Sequence, residues 1–257
     1  MSQETVAIVT GASQGIGRAT AIRVAQDFSQ VVLVARNRGH LESTADAVRL
    51  AGAEPLVIDA DLSQVPAADQ VVRETLARLE RIDALVNIAG AVPQIDLFEM
   101  TDEQWYAGTE LKLHGARRLT IRAWDALKAS RGAVVLTSGN SAQFPKSPYA
   151  AVGAINAAIV ALAKAFAERG LKDGVQVNSV MPGPVMTGRR ESYLKKWATD
   201  HKLTVENATS AFLAQSGISR YGKPEELADL MAFLVSPNAR WLTGASIRMD
   251  GGEVTSI

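Results

Sequence analysis

Short runs of β-branched and other apolar residues alternate with longer helical patterns along almost the whole chain. The runs lack the apolar/polar alternation of strands with one exposed face, so they are typical of strands buried on both faces of a parallel sheet. This alternation predicts βαβ units and a doubly wound α/β fold of about seven strands, with helices on both faces. The runs expected to form strands are Val6–Thr10, Val31–Ala35, Pro55–Asp59, Ala84–Asn87, Ala133–Thr137, Val175–Val180 and Ser246–Met249.

No Pro/Ser-rich linker or internal repeat interrupts the alternation, so we expect residues 1–257 to form a single domain. The long departure is the segment 187–219, which is helical in pattern and lies between two late strands. An insertion at this place favours a lid over a substrate site, although a static surface excursion would show the same pattern. The other predicted helices are Gly15–Asp27, Arg38–Ala51, Gln64–Glu80, Thr101–Leu127, Tyr149–Arg169 and Pro224–Leu234.

Composition argues against several classes of protein. The chain has no cysteine, which excludes disulfide frameworks, iron–sulfur clusters and cysteine nucleophiles. Its three histidines are too scattered for a metal site, so no metal is expected. Lys+Arg and Asp+Glu each number 27, without the basic excess of a nucleic-acid binder.

The N-terminal sequence lacks the basic and apolar regions of a secretion signal. The most apolar stretch, residues 150–167, contains Asn156 and Lys164 and therefore predicts a buried or interface helix rather than a membrane span. A cytoplasmic protein without membrane contact is expected.

The first strand ends in the segment Thr10–Gly17, TGASQGIG, and a helix is predicted to follow at once. Glycines permit a tight turn and a close approach to a diphosphate, which the N–H groups of the helix N-terminus bind. A glycine cluster alone indicates only a turn, but this position between strand and helix is typical of a Rossmann-like dinucleotide site. The candidate residues of this turn are Gly11, Ser13, Gln14, Gly15, Ile16 and Gly17.

Further motifs follow the later strands in order, and together they resemble the short-chain dehydrogenase/reductase family over essentially the whole chain. The resemblance implies an NAD(P)-dependent oxidoreductase that interconverts a small-molecule ketone and a secondary alcohol. It also implies a homotetramer, with a homodimer as the alternative. The motifs are Asp61-Leu62, the segment 87–90 (NIAG), the segment 182–187 (PGPVMT), Thr243-Gly244 and the segment 250–252 (DGG).

On the family's pattern, Asp61 and Leu62 would hold the adenine. The ribose would be lined by Asn87, Ala89 and Gly90. The nicotinamide would be positioned by Pro182, Gly183, Val185 and Thr187. Ile88 stands where the family usually has a second asparagine.

The residue at the end of the second strand indicates whether NAD(H) or NADP(H) is preferred. A carboxylate there accepts from the adenosine 2′-hydroxyl, whereas an arginine pairs with a 2′-phosphate. This chain has no acidic residue there, and Arg36 resembles the NADP-preferring members. NADP(H) is therefore favoured, with NAD(H) possible, because Gln14 is neutral where many NADP enzymes have a second basic residue and Arg36 could simply begin a solvated helix.

The four residues that usually carry the family's chemistry are all replaced. The family uses a tyrosine to move a proton, a lysine one helical turn later to lower the tyrosine pKa, a serine on the carbonyl oxygen and an asparagine on the preceding helix. Here Gly139 stands for the serine and Val152 for the tyrosine. Asn156 stands for the lysine and Lys112 for the asparagine.

Two of these replacements are complementary, since the missing lysine occurs at 112 and the missing asparagine at 156. Tyr149 precedes Asn156 by seven residues, about two turns, so both side chains are expected on one helix face. We therefore predict catalytic roles for Lys112, Tyr149 and Asn156, with a hydroxyl from Ser138 or from Ser141.

Several alternatives stay open at this point, and one of them is that Asn156 is a satisfied polar group of the core. Lys112 could be an ordinary solvated lysine, with Lys146 as the rival cation, and Tyr149 could be a packing residue at a helix start. The basic segment 189–197 is better interpreted as part of a lid than as a nucleic-acid site. Finally, the protein could be a catalytically inactive dinucleotide-binding sensor, scaffold or partner subunit.

Overall fold

The computed structural model describes residues 4–255, and its centre is a parallel sheet. The strands are β1 (Val6–Thr10), β2 (Gln30–Ala35), β3 (Glu54–Asp59), β4 (Ala84–Asn87), β5 (Ala133–Thr137), β6 (Gln176–Pro182) and β7 (Ser246–Met249). They lie in the order β3-β2-β1-β4-β5-β6-β7 and every neighbouring pair is parallel. All seven predicted strands are confirmed, with ends that shift by at most two residues.

Nine α-helices connect the strands in the described part of the chain. They are α1 (Gly15–Val24), α2 (Arg38–Ala51), α3 (Ala67–Leu79), α4 (Asp102–Thr109), α5 (Ala116–Ser130), α6 (Ala150–Asp173), α7 (Gly188–Asp200), α8 (Val205–Ser216) and α9 (Pro224–Val235).

Side chains of the strands alternate between two buried layers. In β1, Val6 and Ile8 enter one layer, and Ala7 and Val9 enter the other. The first layer packs against α3, α5 and α6, and the second against α1, α2 and α9. This two-sided burial explains why the strands read as continuous apolar runs, and it confirms the doubly wound α/β architecture.

The segment expected as one helix, Thr101–Leu127, is interrupted. A π-helical turn, Glu110–Gly115, separates α4 from α5 and carries Lys112. A Cβ at Gly115 would lie 2.8 Å from the Leu62 carbonyl oxygen, so the helix approaches the neighbouring loop closely at this turn. Single π turns inside helices frequently occur at functional sites.

The long segment 187–219 forms α7 and α8, each of which begins at a threonine cap. The Thr187 hydroxyl accepts from Arg190 N at 3.4 Å, and the Thr204 hydroxyl accepts from Asn207 N at 3.1 Å. Tyr193, Trp197 and Phe212 pack edge to face between the two helices. The segment is helical as expected, and its role as a lid stays a prediction.

Residues Ser147–Asp173, which include α6, are long and apolar enough to cross a membrane by length and composition alone. The core helix of a water-soluble protein satisfies the same criterion. In this fold α6 contributes Ile159, Ala163 and Ala167 to the first buried layer.

Candidate functional site

The turn between β1 and α1 needs glycine at three places. Gly11 and Gly15 have φ angles of +68° and +55°, which side chains with a Cβ rarely adopt. A Cβ at Gly17 would lie 2.1 Å from the Gly11 carbonyl oxygen. The backbone is therefore folded tightly here, and the N-terminus of α1 is left open toward a ligand.

A cavity of about 470 Å³ lies at the carboxyl ends of β1, β2 and β4, where the strand order reverses. This is the place where open α/β sheets bind ligands. Eleven predicted cofactor residues line it: Gly11, Ser13, Gln14, Gly15, Ile16, Gly17, Arg36, Leu62, Ala89, Gly90 and Thr187. The sequence analysis missed other residues that line the cavity, among them Asn37, His40, Leu111 and Arg189.

The other five predicted cofactor residues are not part of this lining, and their roles toward a cofactor stay predictions. The Asp61 carboxylate accepts from the backbone N–H and the hydroxyl of Ser63. The Asn87 side chain is buried and donates to the Thr120 hydroxyl at 3.2 Å. Pro182 ends β6, and Gly183 and Val185 follow it.

A residue that the sequence analysis did not single out, Thr10, holds the loop after β4. Its buried hydroxyl accepts from the backbone N–H groups of Ile88 and Ala89, at 2.9 and 3.0 Å. A Cβ at Gly11 would lie 3.1 Å from Ala89 N. The two cofactor loops are therefore packed directly against each other.

Arg36 and Arg38 differ in what they contact. Arg38 is ion-paired with Asp59 at 3.0 Å and with Glu42 at 3.4 Å. Arg36 lines the cavity, is exposed, and has no ion pair or hydrogen bond within residues 4–255. The guanidinium of Arg36 is therefore available to an anion in the cavity, whereas that of Arg38 is occupied.

Lys112 and Asn156, whose residue types are exchanged relative to the family (the transposed pair), contact each other directly. Lys112 Nζ donates to Asn156 Oδ1 at 2.5 Å and to the Ser138 carbonyl oxygen at 3.0 Å. The Lys112 stem packs on Gly90, because a Cβ at Gly90 would lie 3.0 Å from Lys112 Cδ. Since Gly90 lines the cavity, the amine and the amide lie beside the predicted cofactor cleft.

The Asn156 side chain explains why the family's serine is absent. A Cβ at Gly139 would lie 2.5 Å from Asn156 Nδ2, so the amide occupies the space that a side chain at 139 needs. Asn156 Nδ2 donates instead to the Ser141 hydroxyl at 2.9 Å. The glycine at 139 and the asparagine at 156 are thus sterically coupled.

The two candidate serines are not equivalent. Ser138 is buried, and its hydroxyl donates to the Asn156 carbonyl oxygen at 2.7 Å. The proton of Ser138 is therefore already used, which argues against its predicted catalytic role. The Ser141 hydroxyl accepts from Asn156 and keeps its own proton free to donate.

The environment of Lys112 alters its acidity. Although part of the side chain is exposed, the ammonium is enclosed by protein, and this burial lowers the pKa of Lys112 to about 8. The positive charge of Arg189 lowers the pKa further in the same direction. A proton at this site can therefore be exchanged near neutral pH.

Tyr149 lies on the side of the site next to α7. It ends a 3₁₀ turn just before α6 and is half-buried. It interacts electrostatically with Tyr193 on α7; burial, followed by this neighbour, raises the pKa of Tyr193. Within residues 4–255 no hydrogen bond joins Tyr149 to Lys112. The rival cation Lys146 lies over the Phe144 ring, 5.1 Å from its centroid.

The start of α7 crosses the cleft. Arg189 Nη2 donates to the Gly90 carbonyl oxygen at 3.4 Å and lines the cavity. Arg190 lies over the rings of Tyr193 and Tyr221, at 5.5 and 5.8 Å from the ring centroids. The basic residues that begin the segment 189–197 therefore face the cleft and the tyrosines beside it.

Comparison with known proteins agrees with this geometry. Residues 11–253 match a family model described as enoyl-(acyl carrier protein) reductase. A 3-oxoacyl-[acyl-carrier-protein] reductase from Synechocystis is 32% identical, over 97% of this chain and 96% of its own length.

Two solved structures are similar over almost their full length. L-sorbose reductase from Gluconobacter frateurii, in complex with NADPH and L-sorbose, superposes with a TM-score of 0.95 at 28% identity, over 99% of this chain and 98% of that chain. Actinorhodin polyketide ketoreductase with NADPH superposes with a TM-score of 0.91 at 29% identity, over 97% of each chain. The whole-length match, the strand order and the glycine turn lead to one conclusion: the chain belongs to the short-chain dehydrogenase/reductase family of oxidoreductases.

Proposed function

We propose that the protein is an NADP(H)-dependent oxidoreductase that interconverts a small-molecule ketone and a secondary alcohol through a rearranged catalytic site. The observation that carries this proposal is the contact between Lys112 and Asn156 beside the cofactor cleft. A random loss of the family's residues would not be expected to leave the same two functional groups together with their positions exchanged.

The residues of the cleft fit a nicotinamide dinucleotide. The glycines at 11, 15 and 17 permit the tight turn that carries the backbone past the cavity, and the N-terminus of α1 offers free N–H groups to a diphosphate. The unpaired Arg36 fits a 2′-phosphate. The similar NADPH complexes of L-sorbose reductase and of the actinorhodin ketoreductase support the same coenzyme.

When bound, the nicotinamide supplies or accepts the hydride. In the direction of reduction, the carbonyl oxygen gains negative charge and then a proton. We assign the stabilisation of that charge to the Lys112 ammonium, which Asn156 and the Ser138 carbonyl hold in place. The Ser141 hydroxyl donates a hydrogen bond to the same oxygen, and Tyr149 delivers the proton.

The direct test is a panel of ketones and alcohols offered with each coenzyme, with turnover followed by nicotinamide absorbance. We expect reduction of at least one ketone, with NADPH as the better coenzyme. Arg36→Asp and Lys112→Ala, made in parallel, separate coenzyme binding from turnover, because the two residues lie on different sides of the cleft.

A second candidate function is a dinucleotide-binding sensor, scaffold or partner subunit without catalysis. The observation in its favour is that Gly139 and Val152 leave no hydroxyl at the two positions where the family has them. NADPH binding by calorimetry, combined with no turnover on a broad carbonyl panel, would favour this function over the first.

We also propose that the protein is cytoplasmic and assembles as a homotetramer. The alanine-rich face of α6 supports the assembly, since small residues allow helices to approach closely across an interface. Sedimentation at micromolar concentration is expected to give four times the mass of the 27.4 kDa chain, and a monomer would exclude the assembly.

A further inference from the structure

The part of the cavity around Arg36, where a 2′-phosphate would bind, has few positively charged groups. Arg36 is free, but Gln14 on the glycine turn is neutral and Arg38 is occupied by Asp59 and Glu42. A 2′-phosphate carries close to two negative charges, so one arginine leaves it incompletely matched. A second charged or chargeable donor near Arg36 would strengthen the distinction between NADPH and NADH.

His40 lines the same cavity as Arg36, from the first turn of α2. Its side chain is exposed, and its imidazole makes no hydrogen bond within the described residues. An imidazole with free ring nitrogens donates at least one N–H, and it donates two when it is charged. His40 can therefore act as a donor toward an anion in the cavity in either protonation state.

The position of His40 is fixed by the helix around it. The Asn37 side chain caps α2 by accepting from His40 N at 3.0 Å. One turn later the buried hydroxyl of Thr44 donates to the Ala12 carbonyl oxygen at 3.0 Å, which ties α2 to the glycine turn. The N-terminus of α2, which favours anions, thus faces the cleft together with the imidazole.

We propose that His40 is a second coenzyme-specificity residue, which donates to the 2′-phosphate together with Arg36 and replaces the cation that Gln14 does not provide. The inference rests on the proposed NADP(H) preference. A hydrogen bond to a charged group is typically strong enough that its loss weakens binding about tenfold or more.

The test is calorimetric titration of the full-length protein with NADPH and, separately, with NADH. We expect His40→Asn to weaken NADPH binding about tenfold and to leave NADH binding within about twofold, because only NADPH carries the 2′-phosphate. The matched control is His201→Asn, since His201 is exposed and stacks on Trp197 at the end of α7. Adenosine 2′,5′-bisphosphate and adenosine 5′-monophosphate provide the same contrast without the nicotinamide.

The outcomes separate the two proposals. Suppose that the unmodified protein binds NADPH tightly. If His40→Asn then changes the affinity for neither coenzyme, or weakens the affinity for both equally, the role of His40 is wrong and the NADP(H) preference stands. If the unmodified protein binds NADH more tightly, or binds neither coenzyme, both proposals are overturned. Thermal melting of His40→Asn checks that any loss of affinity does not come from unfolding.

Discussion

The two halves of the cleft have diverged from their family to very different extents. In the nucleotide half, the glycine turn and most of the predicted residues line one cavity in the expected way. In the catalytic half, all four usual residues are replaced, and the amine and amide come from each other's helices. The nucleotide half depends on backbone conformation, which few sequences satisfy, while the catalytic half depends on side-chain groups that either neighbouring helix can supply.

This comparison teaches that two neighbouring helices can exchange an amine and an amide and still hold the two groups in contact. Gly139, Asn156 and Lys112 interlock, since the asparagine amide occupies the space above the glycine and holds the lysine. These positions are energetically coupled, because a side chain at 139 would clash with the Asn156 amide and loss of Asn156 would remove an acceptor of the Lys112 ammonium.

The largest expected effect is that of Lys112→Ala. Loss of its charge removes stabilisation of the alkoxide, so turnover of a ketone found in the screen should fall about 10²–10⁴-fold, while NADPH binding changes little. Steady-state kinetics and calorimetry measure the two quantities. Lys146→Ala is the control, because Lys146 packs on Phe144. Turnover within about threefold of the unmodified protein would exclude the transposed mechanism, since it falls well below that range.

Tyr149→Phe should lower turnover over a comparable range, about 10²–10⁴-fold, and its effect should not add to that of Lys112→Ala, because the two residues act on one proton transfer. Tyr193→Phe keeps the ring but removes the hydroxyl that faces Tyr149, so we expect a smaller loss. If Tyr149→Phe keeps full turnover while Lys112→Ala does not, the Lys112 ammonium is itself the proton donor.

The pKa of Lys112, about 8, sets a pH dependence. The amine is charged below that pH and neutral above it, so reduction should fall about tenfold per pH unit above about 8. Lys112→Arg should move this alkaline limb to higher pH, even if turnover is lower.

Stability gives a second measure of the same group. The unfolded chain keeps the proton up to the ordinary pKa of 10.5, so the contribution of Lys112 to stability should rise with pH between about 8 and 10.5. Denaturant unfolding of the unmodified protein and of Lys112→Met measures this difference. If Lys112→Met leaves the dependence of the unfolding free energy on pH unchanged, the burial of the ammonium is contradicted.

In the nucleotide half, Arg36→Asp should weaken NADPH binding about 10–100-fold and erase or reverse the preference over NADH, because a carboxylate repels the 2′-phosphate. Arg38→Ala is the matched control, since Arg38 is occupied by Asp59 and Glu42. Tighter binding of NADH by the unmodified protein, with no change in Arg36→Asp, would show the coenzyme assignment to be wrong.

The smallest effect concerns the interlock. Restoring the family's serine with Gly139→Ser should destabilise the fold by about 1–3 kcal/mol, because the new Cβ overlaps the Asn156 amide. Adding Asn156→Ala should relieve the overlap but remove an acceptor of the Lys112 ammonium, so the effects of the two substitutions should not add. Gly188→Ala is the control, since a Cβ there meets nothing within 4 Å. Denaturant unfolding measures the free energy of unfolding of all three variants. If Gly139→Ser is as stable as the unmodified protein, the steric coupling is wrong.

The sequence by itself determined the strands, their parallel arrangement in βαβ units and the glycine turn. Apolar runs such as Val6–Thr10 can only be satisfied by burial on both faces, and the positive φ of Gly11 and Gly15 leaves few other residues possible. The resemblance to the family also indicated that the residue types at 112 and 156 are exchanged, and the structure joins these two side chains.

Only the tertiary structure decided which groups meet. The π turn at Lys112, the use of the Ser138 proton within the chain and the placement of Tyr149 against Tyr193 depend on side-chain contacts between distant segments. His40 and Arg189 were missed for the same reason, since a residue's spacing along its own helix does not show which cavity it lines. Local pattern determines the backbone elements, and long-range packing determines the neighbours of each functional group.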